Sequence, residues 1–496
     1  MYYPSFKEYL KLTKKGNVIP VYREVNVDFD TPVSALLKIS KGEYSFLLES
    51  VEGQEKLARF SFLGTEPSFV FKSKSRNIEI IYPRNNQATR RFITDSTPLD
   101  EIKKLMSGFK SVHVNGLPRF SGGLVGFIGY DMVRFFERLP DKNPDDLKVY
   151  DSVLMLMDTL LVFDHVKHTI KIVSNAILPD RSRISLKKKA AIYKNAIKKI
   201  DSSYLSLNKT LSKSTQSAKI SKPGKVTSNF TKQGFMNLVK IAKSYIRKGD
   251  IIQVVPSQRF KVRTLKEPFA IYRTLRSLNP SPYMYYLKLK DISLVGTSPE
   301  MLVRCEDGLI QTRPIAGTRP RGRNEKEERK LADELIKDKK ERAEHLMLVD
   351  LGRNDLGRVC KIGTVQVSEF MNIEKYSHVM HLVSEVKGRL DNKHYDIYDV
   401  LKATFPAGTV SGSPKIRAME IIDELENSKR GPYAGCVGYF SFSHNMDTCI
   451  TIRTVLIKDH VAYIQAGGGV VADSKPEKEY TESVNKAKAL IEAIKQ

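Results

Sequence analysis

The sequence predicts an α+β fold built on large antiparallel sheets with flanking helices, and three observations carry that reading. Short β-like runs recur through both the first and the last parts of the chain. The helical stretches between them are irregularly spaced. No steady strand–helix alternation appears, as a doubly wound parallel sheet would need. At 496 residues, 41% hydrophobic and 28% charged, the chain is long enough for two or three domains with ample core and has a globular composition.

The N-terminal MYYPSFKEYLKLTKK lacks the apolar stretch of a secretory signal. YSFLLES, SFVFKS and IEIIYP then read as strands. SVLMLMDTLLVF, from Ser152, is the most apolar run, but Asp158 interrupts it, so it reads as two buried strands and not as a membrane span. IKIVSN closes the first region. Between Arg181 and Lys225 stand thirteen basic residues against Asp201 alone, a net +12 out of +26 for the chain. This stretch is rich in Ser and ends in SKPGKVTSN. It reads as a basic helix followed by an exposed linker, dividing the chain into 1–178, a linker 179–228, and 229–496. A basic run without interleaved aromatics supplies only non-specific attraction to nucleic acid, so nucleic-acid binding stands only as the alternative from a different class.

Beyond the linker, Asn229–Arg247 and Glu325–Val349 read as long helices. FSFLGTEPSFVF (Phe60–Phe71) and SLVGTSPEMLVR (Ser293–Arg304) echo one another as strand, tight turn, strand, which hints at a duplicated half. Cys305, Cys360, Cys436 and Cys449 show no C-x-x-C spacing and no His-rich neighbourhood. They fit free thiols in a reducing cytoplasm, not a disulfide frame or zinc site.

Chemistry concentrates in the later part. Glu341 and Glu344, and Glu479 and Glu482, are two Glu-x-x-Glu pairs in helical stretches; residues three apart share a helix side, so each pair can aim two carboxylates at one point. Four carboxylates from two helices suit a hard cation such as Mg²⁺, although most such pairs are solvated helix faces. Gly467, Gly468 and Gly469 follow a strand, and such a run lets backbone N–H groups approach an anion, or simply makes a tight turn. Ser474 is the expected N-cap of the next helix, with Pro476 in its first turn. That helix is expected to bury Tyr480, Val484, Ala487, Ile491 and Ile494, leaving Glu479, Glu482 and Lys486 on another side. Arg453, in DTCITIRTVLI, reads as a strand residue whose burial demands an anionic partner. His381 lies in an apolar strand, where a satisfied core histidine is the ordinary reading. PIAGTRPRG and ATFPAGTVSGSPK add Gly-Thr turns suited to a small polar substrate.

Taken together, GTSPE, PIAGTRPRG, ERAEHLMLVDLGRNDLGRV, HLVSEVKG, FPAGTVSGSPK, GPYAGCVGYF, IRT and AGGGVVADSKPEKEYTE stand in the order found in chorismate-utilising enzymes. The chain resembles the family of anthranilate synthase large subunits from about Phe6 to Ile494. That resemblance implies a two-domain chorismate-binding fold with a regulatory N-terminal domain and a catalytic C-terminal one. It implies Mg²⁺ on Glu344 and Glu482, supported by Glu341 and Glu479. It implies chorismate held by Gly317, Thr318, Tyr433, Arg453, Gly467, Gly468 and Gly469, with Lys486 for a carboxylate. Glu300 becomes the candidate general acid for loss of the C4 hydroxyl, and His381 the proton-transfer group in pyruvate elimination. Thr409 would orient the substrate or His381.

Two positions bear on the sister activities. Aminodeoxychorismate synthases carry Lys in a PIKGT segment where Ala316 stands here, and isochorismate synthases use a Lys base where this chain has Gln253. A neutral amide cannot take a proton from water, so amination is favoured. Leu48, Glu49, Ser50 and Pro282, Tyr283, Met284 read plainly as an edge strand with its turn and a loop entering a strand. They resemble the family's tryptophan feedback site. No Cys sits in a nucleophile-elbow setting, so glutamine would have to be hydrolysed by a separate amidotransferase subunit (component II); the family resemblance implies a heterotetramer of two large and two small subunits.

Overall fold

The computed structural model describes residues 1–26, 30–50, 59–85, 87–179, 184–211, 224–376 and 379–496. Among the described residues the strands gather into an eleven-stranded and a twelve-stranded sheet, with one further two-stranded pair. Neighbouring strands in these sheets are antiparallel, as in Tyr44–Glu49 against Tyr283–Leu289. The first sheet runs Val18–Asn26, Thr169–Ile177, Thr159–Asp164, Phe60–Thr65, Tyr44–Glu49, Tyr283–Leu289, Ile292–Ser298, Thr454–Lys458, Val461–Gly467, Ser257–Arg263 and Thr227–Ser228. The second runs Ile315–Pro320, Val379–Arg389, Leu309–Thr312, Met301–Glu306, Met446–Ile450, Cys436–Ser441, Gly123–Ile128, Ser152–Met157, Phe69–Lys74, Asn77–Tyr82 and Ala88–Ile93, with the twelfth strand, Gln366–Lys375, also paired to Val379–Arg389.

The two sheets pack face to face over Phe46, Phe62, Phe127, Met155, Tyr285 and Leu294. Helices cover the outer face of the first sheet through Tyr9, Leu36, Tyr193, Tyr272 and Leu490. Others cover the second through Leu99, Ile102, Val349 and Leu401. Strands inside this stack are buried on both faces, which is why Ser152–Met157 is buried at every position and apolar without alternation. Each large side chain fully removed from water there contributes about 1.5–3 kcal/mol.

Each sheet takes strands from both sides of residue 178, so the division read in the sequence does not separate the sheets. The arrangement is a repeat instead. Outward from the centre of the first sheet, Tyr44–Glu49, Phe60–Thr65, Thr159–Asp164, Thr169–Ile177 and Val18–Asn26 answer Tyr283–Leu289, Ile292–Ser298, Thr454–Lys458, Val461–Gly467 and Ser257–Arg263. The echo between Phe60–Phe71 and Ser293–Arg304 has a physical meaning in this pattern. What reads as a tight turn is the point where the chain leaves the first sheet for the second, between Thr65 and Phe69 and again between Ser298 and Met301. The return crossings fall at Asp158 and at Thr451–Arg453.

The structure corrects other expectations. The stretch 179–228 is not all linker: Leu186–Leu207 is a helix capped by Ser185, and its Tyr193, Ala196 and Ile200 pack into the core beside the first sheet. Lys187, Lys188, Lys194 and Lys198 point to solvent, a solvated charged face. Arg181, Arg183, Lys213, Lys219 and Lys222 of the basic stretch lie outside the described residues. Tyr44–Glu49 is not an edge strand but the fifth of eleven, hydrogen-bonded on both sides. Glu325–Val349 is two helices, Glu325–Lys337 and Lys339–Gly357. Asp338 ends the first and caps the second, its carboxylate accepting the N–H groups of Lys340 and Glu341. No described helix is long and apolar enough to cross a membrane.

Candidate active site

A cavity of about 760 Å³ opens where the two crossings of the C-terminal repeat meet the end of strand Val461–Gly467. Its walls are helices Lys339–Gly357 and Pro476–Lys495 and the edge strand Ile315–Pro320. Glu300, Gly317, Thr318, Glu341, Glu344, His381, Thr409, Tyr433, Arg453, Gly467, Gly469, Glu479, Glu482 and Lys486 all line it, and Gly468 lies between two of them.

Glu300 follows the crossing proline and is 7% exposed. Burial pushes its carboxyl up to about 8, against the opposing effects of the Thr409 hydroxyl and a backbone N–H. Thr409 donates to Glu300 Oε1 at 3.0 Å. Thr409 thus holds Glu300, and no hydrogen bond joins it to His381 among the described residues. His381 places Nδ1 2.9 Å from the Gly317 carbonyl and 3.1 Å from Thr318 Oγ1. A carbonyl only accepts, so Nδ1 carries the proton and Nε2 keeps its lone pair. Burial depresses the pKa of this imidazole, which favours the neutral base. The contact depends on a bulge, because pairing slips between Ala316 and Thr318 and leaves Gly317 at φ +67°. A Cβ there would be strained and would stand 3.1 Å from Glu341 Oε2.

The carboxylates converge on the glycine run. A Cβ on Gly468 would lie 3.2 Å from Glu482 Oε1 and 3.3 Å from Glu479 Oε2, and one on Gly469 would lie 3.4 Å from Glu344 Oε1. Only hydrogen fits. Burial first, then Glu341, raises the pKa of Glu344, while Gln253 Nε2 donates to its Oε1 at 3.0 Å. Glu479 is raised by burial and then by Glu482, opposed by a hydrogen bond from Ser474. Cations answer them: Lys486 Nζ is 2.7 Å from Glu482 and 3.0 Å from the Gly467 carbonyl, and Arg319 is 3.5 Å from Glu341. Ser474 is not the N-cap; that position is Lys475, and Ser474 instead accepts the Val471 N–H at 3.0 Å, tightening the turn after the glycines. The helix face is also rotated from the expected one. Glu479, Ser483, Ala487, Leu490 and Ile494 are buried, whereas Tyr480, Val484 and Ile491 are half-buried. Glu479 thus sits on the inward face and Glu482 on the exposed flank.

Arg453 is not within a strand. It stands between Met446–Ile450 and Thr454–Lys458 at φ 51°, a conformation L residues rarely adopt. Its Nη1 donates to the Lys486 carbonyl at 2.9 Å, burial lowers its pKa, and Glu482 is the acid that opposes this. Among the described residues no acid pairs with it directly, which leaves its remaining donors for a substrate anion. Behind the cavity, Arg430 is 2% exposed and binds Glu426 through two nitrogens. It also donates to the Val410 and Val255 carbonyls, both at 2.7 Å, and its guanidinium lies over Tyr433. Arg430→Met is expected to lower the unfolding free energy by about 3–5 kcal/mol, since it leaves Glu426 buried and unpaired. Denaturant titration reads that change.

Among the described residues no three His, Cys, Asp or Glu side chains are close enough to chelate a metal as they stand. An ion here would need oxygens from the substrate as well as from the two helices. Several all-oxygen donors that repel one another across a polar cavity match a hard cation that bridges carboxylates to an anionic ligand.

A second cleft lies at the seam of the repeat. Leu48, Glu49, Ser50, Pro282, Tyr283 and Met284 line it, with Met284 paired to Glu49 and Tyr285 to Leu48. The Glu49 carboxylate is turned onto Tyr272 and Arg276. The Ser50 hydroxyl is buried without a hydrogen-bond partner among the described residues. Arg304 and Asp447, 2.8 Å apart, and Tyr285 also line this cleft. Sequence reading missed them; the signal was a charged residue in the interior of each of two largely apolar strands, Arg304 in MLVRCE and Asp447 in MDTCI.

Fold and site together define an enzyme of the chorismate type. Residues 44–492 match the chorismate binding enzyme family, and the chain belongs to it. It is 50% identical to anthranilate synthase component 1 of Aquifex aeolicus (strain VF5), over 99% of this chain and 97% of that protein. It is 48% identical to the component 1 of Acetivibrio thermocellus, over 100% and 99%. The crystal structure of anthranilate synthase component I from Streptococcus pneumoniae TIGR4 superposes with a TM-score of 0.76 at 38% identity, covering 89% of this chain and 93% of that one.

Proposed function

We propose that this chain is the component 1 subunit of an anthranilate synthase, converting chorismate and ammonia to anthranilate, pyruvate and water. The observation that supports it best is the cavity itself. A buried, protonated Glu300, a neutral His381 and a glycine-lined carboxylate cluster face one space shaped for a small dianion. Arg453, Lys486 and the glycine amides hold the substrate carboxylates. Glu300 gives its proton to the departing C4 hydroxyl as ammonia adds to the ring. His381 Nε2 then takes the ring proton as the ring C–O bond breaks and the ring aromatises; the side chain leaves as the enolate of pyruvate, which gains a proton at its methylene carbon to give pyruvate. Glu344 and Glu482 would hold Mg²⁺, with Glu341 and Glu479 beside them; when bound, the ion supplies Lewis-acid polarisation and counter-charge at a substrate carboxylate. Gln253 donates an amide N–H to Glu344 and has no basic nitrogen to activate water, which speaks against the isochorismate reaction, and Ala316 against the aminodeoxychorismate one.

All four cysteines are buried, and burial raises the thiol pKa of Cys305 and Cys360 to about 11 and of Cys436 to about 12. Glutamine is therefore a substrate only with a partner amidotransferase, in the proposed heterotetramer. Mixing the chain with chorismate, Mg²⁺ and ammonium should produce anthranilate fluorescence, while glutamine alone should not. A folded chain that makes no anthranilate overturns this reading.

The seam cleft is the proposed tryptophan feedback site, on the strength of its largely apolar lining and of a Ser50 hydroxyl that has no partner among the described residues. Ser50→Phe, which fills the cleft, is expected to raise the tryptophan concentration for half-inhibition by at least about tenfold, a loss of about 1.4 kcal/mol in binding. A dose–response curve on ammonia-dependent turnover reads it.

A further inference from the structure

One residue links the lining of the seam cleft to the wall of the catalytic cavity. The ring of Tyr285 is 1% exposed and lines the seam cleft. It fills the space over Gly296, where a Cβ would stand 2.1 Å from it. Its hydroxyl reaches away from the cleft to Thr454 Oγ1, 2.5 Å distant. Thr454 spends its own proton on the Ile452 carbonyl at 2.8 Å, so the phenol is the donor. The buried hydroxyl of Thr451, which lacks a full partner of its own, lies beside the same phenol.

Thr451 and Thr454 bracket Ile452 and Arg453, and those two line the catalytic cavity. This four-residue strap carries the chain from the second sheet back to the first. Arg453 is held at positive φ only because its surroundings over-determine it. Its carbonyl accepts the Thr297 N–H at 3.1 Å, and Thr297 is in turn held by Asn279 at 3.0 Å. The phenol is a direct side-chain contact from the lining of the seam cleft to the strap.

We infer that Tyr285 is a positioning residue: its hydroxyl fixes the strap that presents Arg453 to the substrate, and its ring transmits occupancy of the seam cleft to that strap. The inference rests on the reading of the seam as a tryptophan site. A ligand seated against the ring shifts the hydroxyl with it, and the strap then has two arrangements that each ligand weights differently, which is what coupling between distinct sites requires.

Tyr285→Phe keeps the ring and removes the link; Thr454→Val removes the same bond from the other end. In both, the KM for chorismate should rise by about three- to tenfold, with kcat less affected, as expected when binding common to ground and transition states is lost. Calorimetry without Mg²⁺ or ammonia should show tryptophan binding each variant within about threefold of wild type. Chorismate should weaken tryptophan binding to wild type by a factor in the usual range of about 5–150, and by less than about twofold in the variants. Retention of wild-type KM and coupling by either variant overturns the inference, and so does loss of tryptophan binding together with inhibition, which marks the phenol as structural only. If wild type itself binds no tryptophan, the seam reading fails, a result distinct from either.

Discussion

Glu300→Gln lowers kcat of ammonia-dependent turnover by about 10²–10⁴-fold, the usual worth of a positioned general acid. The amide keeps the size and the bond to Thr409 but carries no transferable proton. The expected pH dependence has a definite sign. Burial holds the Glu300 carboxyl protonated up to about pH 8, so the working form is the acid and wild-type kcat falls as pH rises through that value. The residual rate of the variant lacks this descent. Stability follows the same sign. A group whose pKa is raised on folding favours the folded state most below the ordinary carboxyl range, and that contribution is lost as pH climbs to about 8. The thermal midpoint of wild type should therefore decline over that interval more than that of Glu300→Gln. A pH–rate profile with the same descending limb in the variant would remove Glu300 from this role.

Glu344→Gln and Glu482→Gln should each cut Mg²⁺-dependent turnover by about 10³-fold, corresponding to several kcal/mol of lost charge stabilisation. Far-ultraviolet circular dichroism should be unchanged, because neither carboxylate caps a helix or pairs with a buried cation. The two should differ in detail. Glu344 is half-buried and receives Gln253, so its amide variant meets a second amide and misplaces the Gly469 turn. Glu482 is exposed and pairs with Lys486, so its variant frees that lysine for substrate and should affect KM less than kcat. Calorimetric titration of Mg²⁺ in the presence of chorismate reads the metal directly. A variant that keeps the wild-type Mg²⁺ response would show that its carboxylate is not a ligand.

Much of the catalytic cavity was legible in the chain because its residues obey local rules. Glutamates three apart on a helix face one point, and three consecutive glycines after a strand permit close approach whatever the fold. The antiparallel sheets were legible for the same reason, since their strands are short and bounded by turn residues. What was not legible depends on partners far away in sequence. Arg453 reads as a strand residue because Ile450, Ile452 and Val455 flank it; only the change of sheet at that point shows that it must leave the ladder. Tyr44–Glu49 reads as an edge because nothing nearby announces its second neighbour, which arrives more than two hundred residues later. Asp338 is a strong N-cap, yet the helical character on both sides of it masks the break. The helix from Pro476 is amphipathic enough for two neighbouring faces to compete, and Ser483 meeting Gln258 selects the one that carries Glu479 inward.

The repeat has a further consequence at its seam. Two like halves meeting along their central strands have the geometry of a symmetric dimer, but here they are one polypeptide. In a true dimer, a cleft between protomers vanishes on dilution, and whatever it binds reports on protein concentration as well as on ligand. Fusion makes the meeting of the halves intramolecular. The cleft between Ser50 and Met284 then persists at any dilution of the chain, and its occupancy answers to the ligand alone.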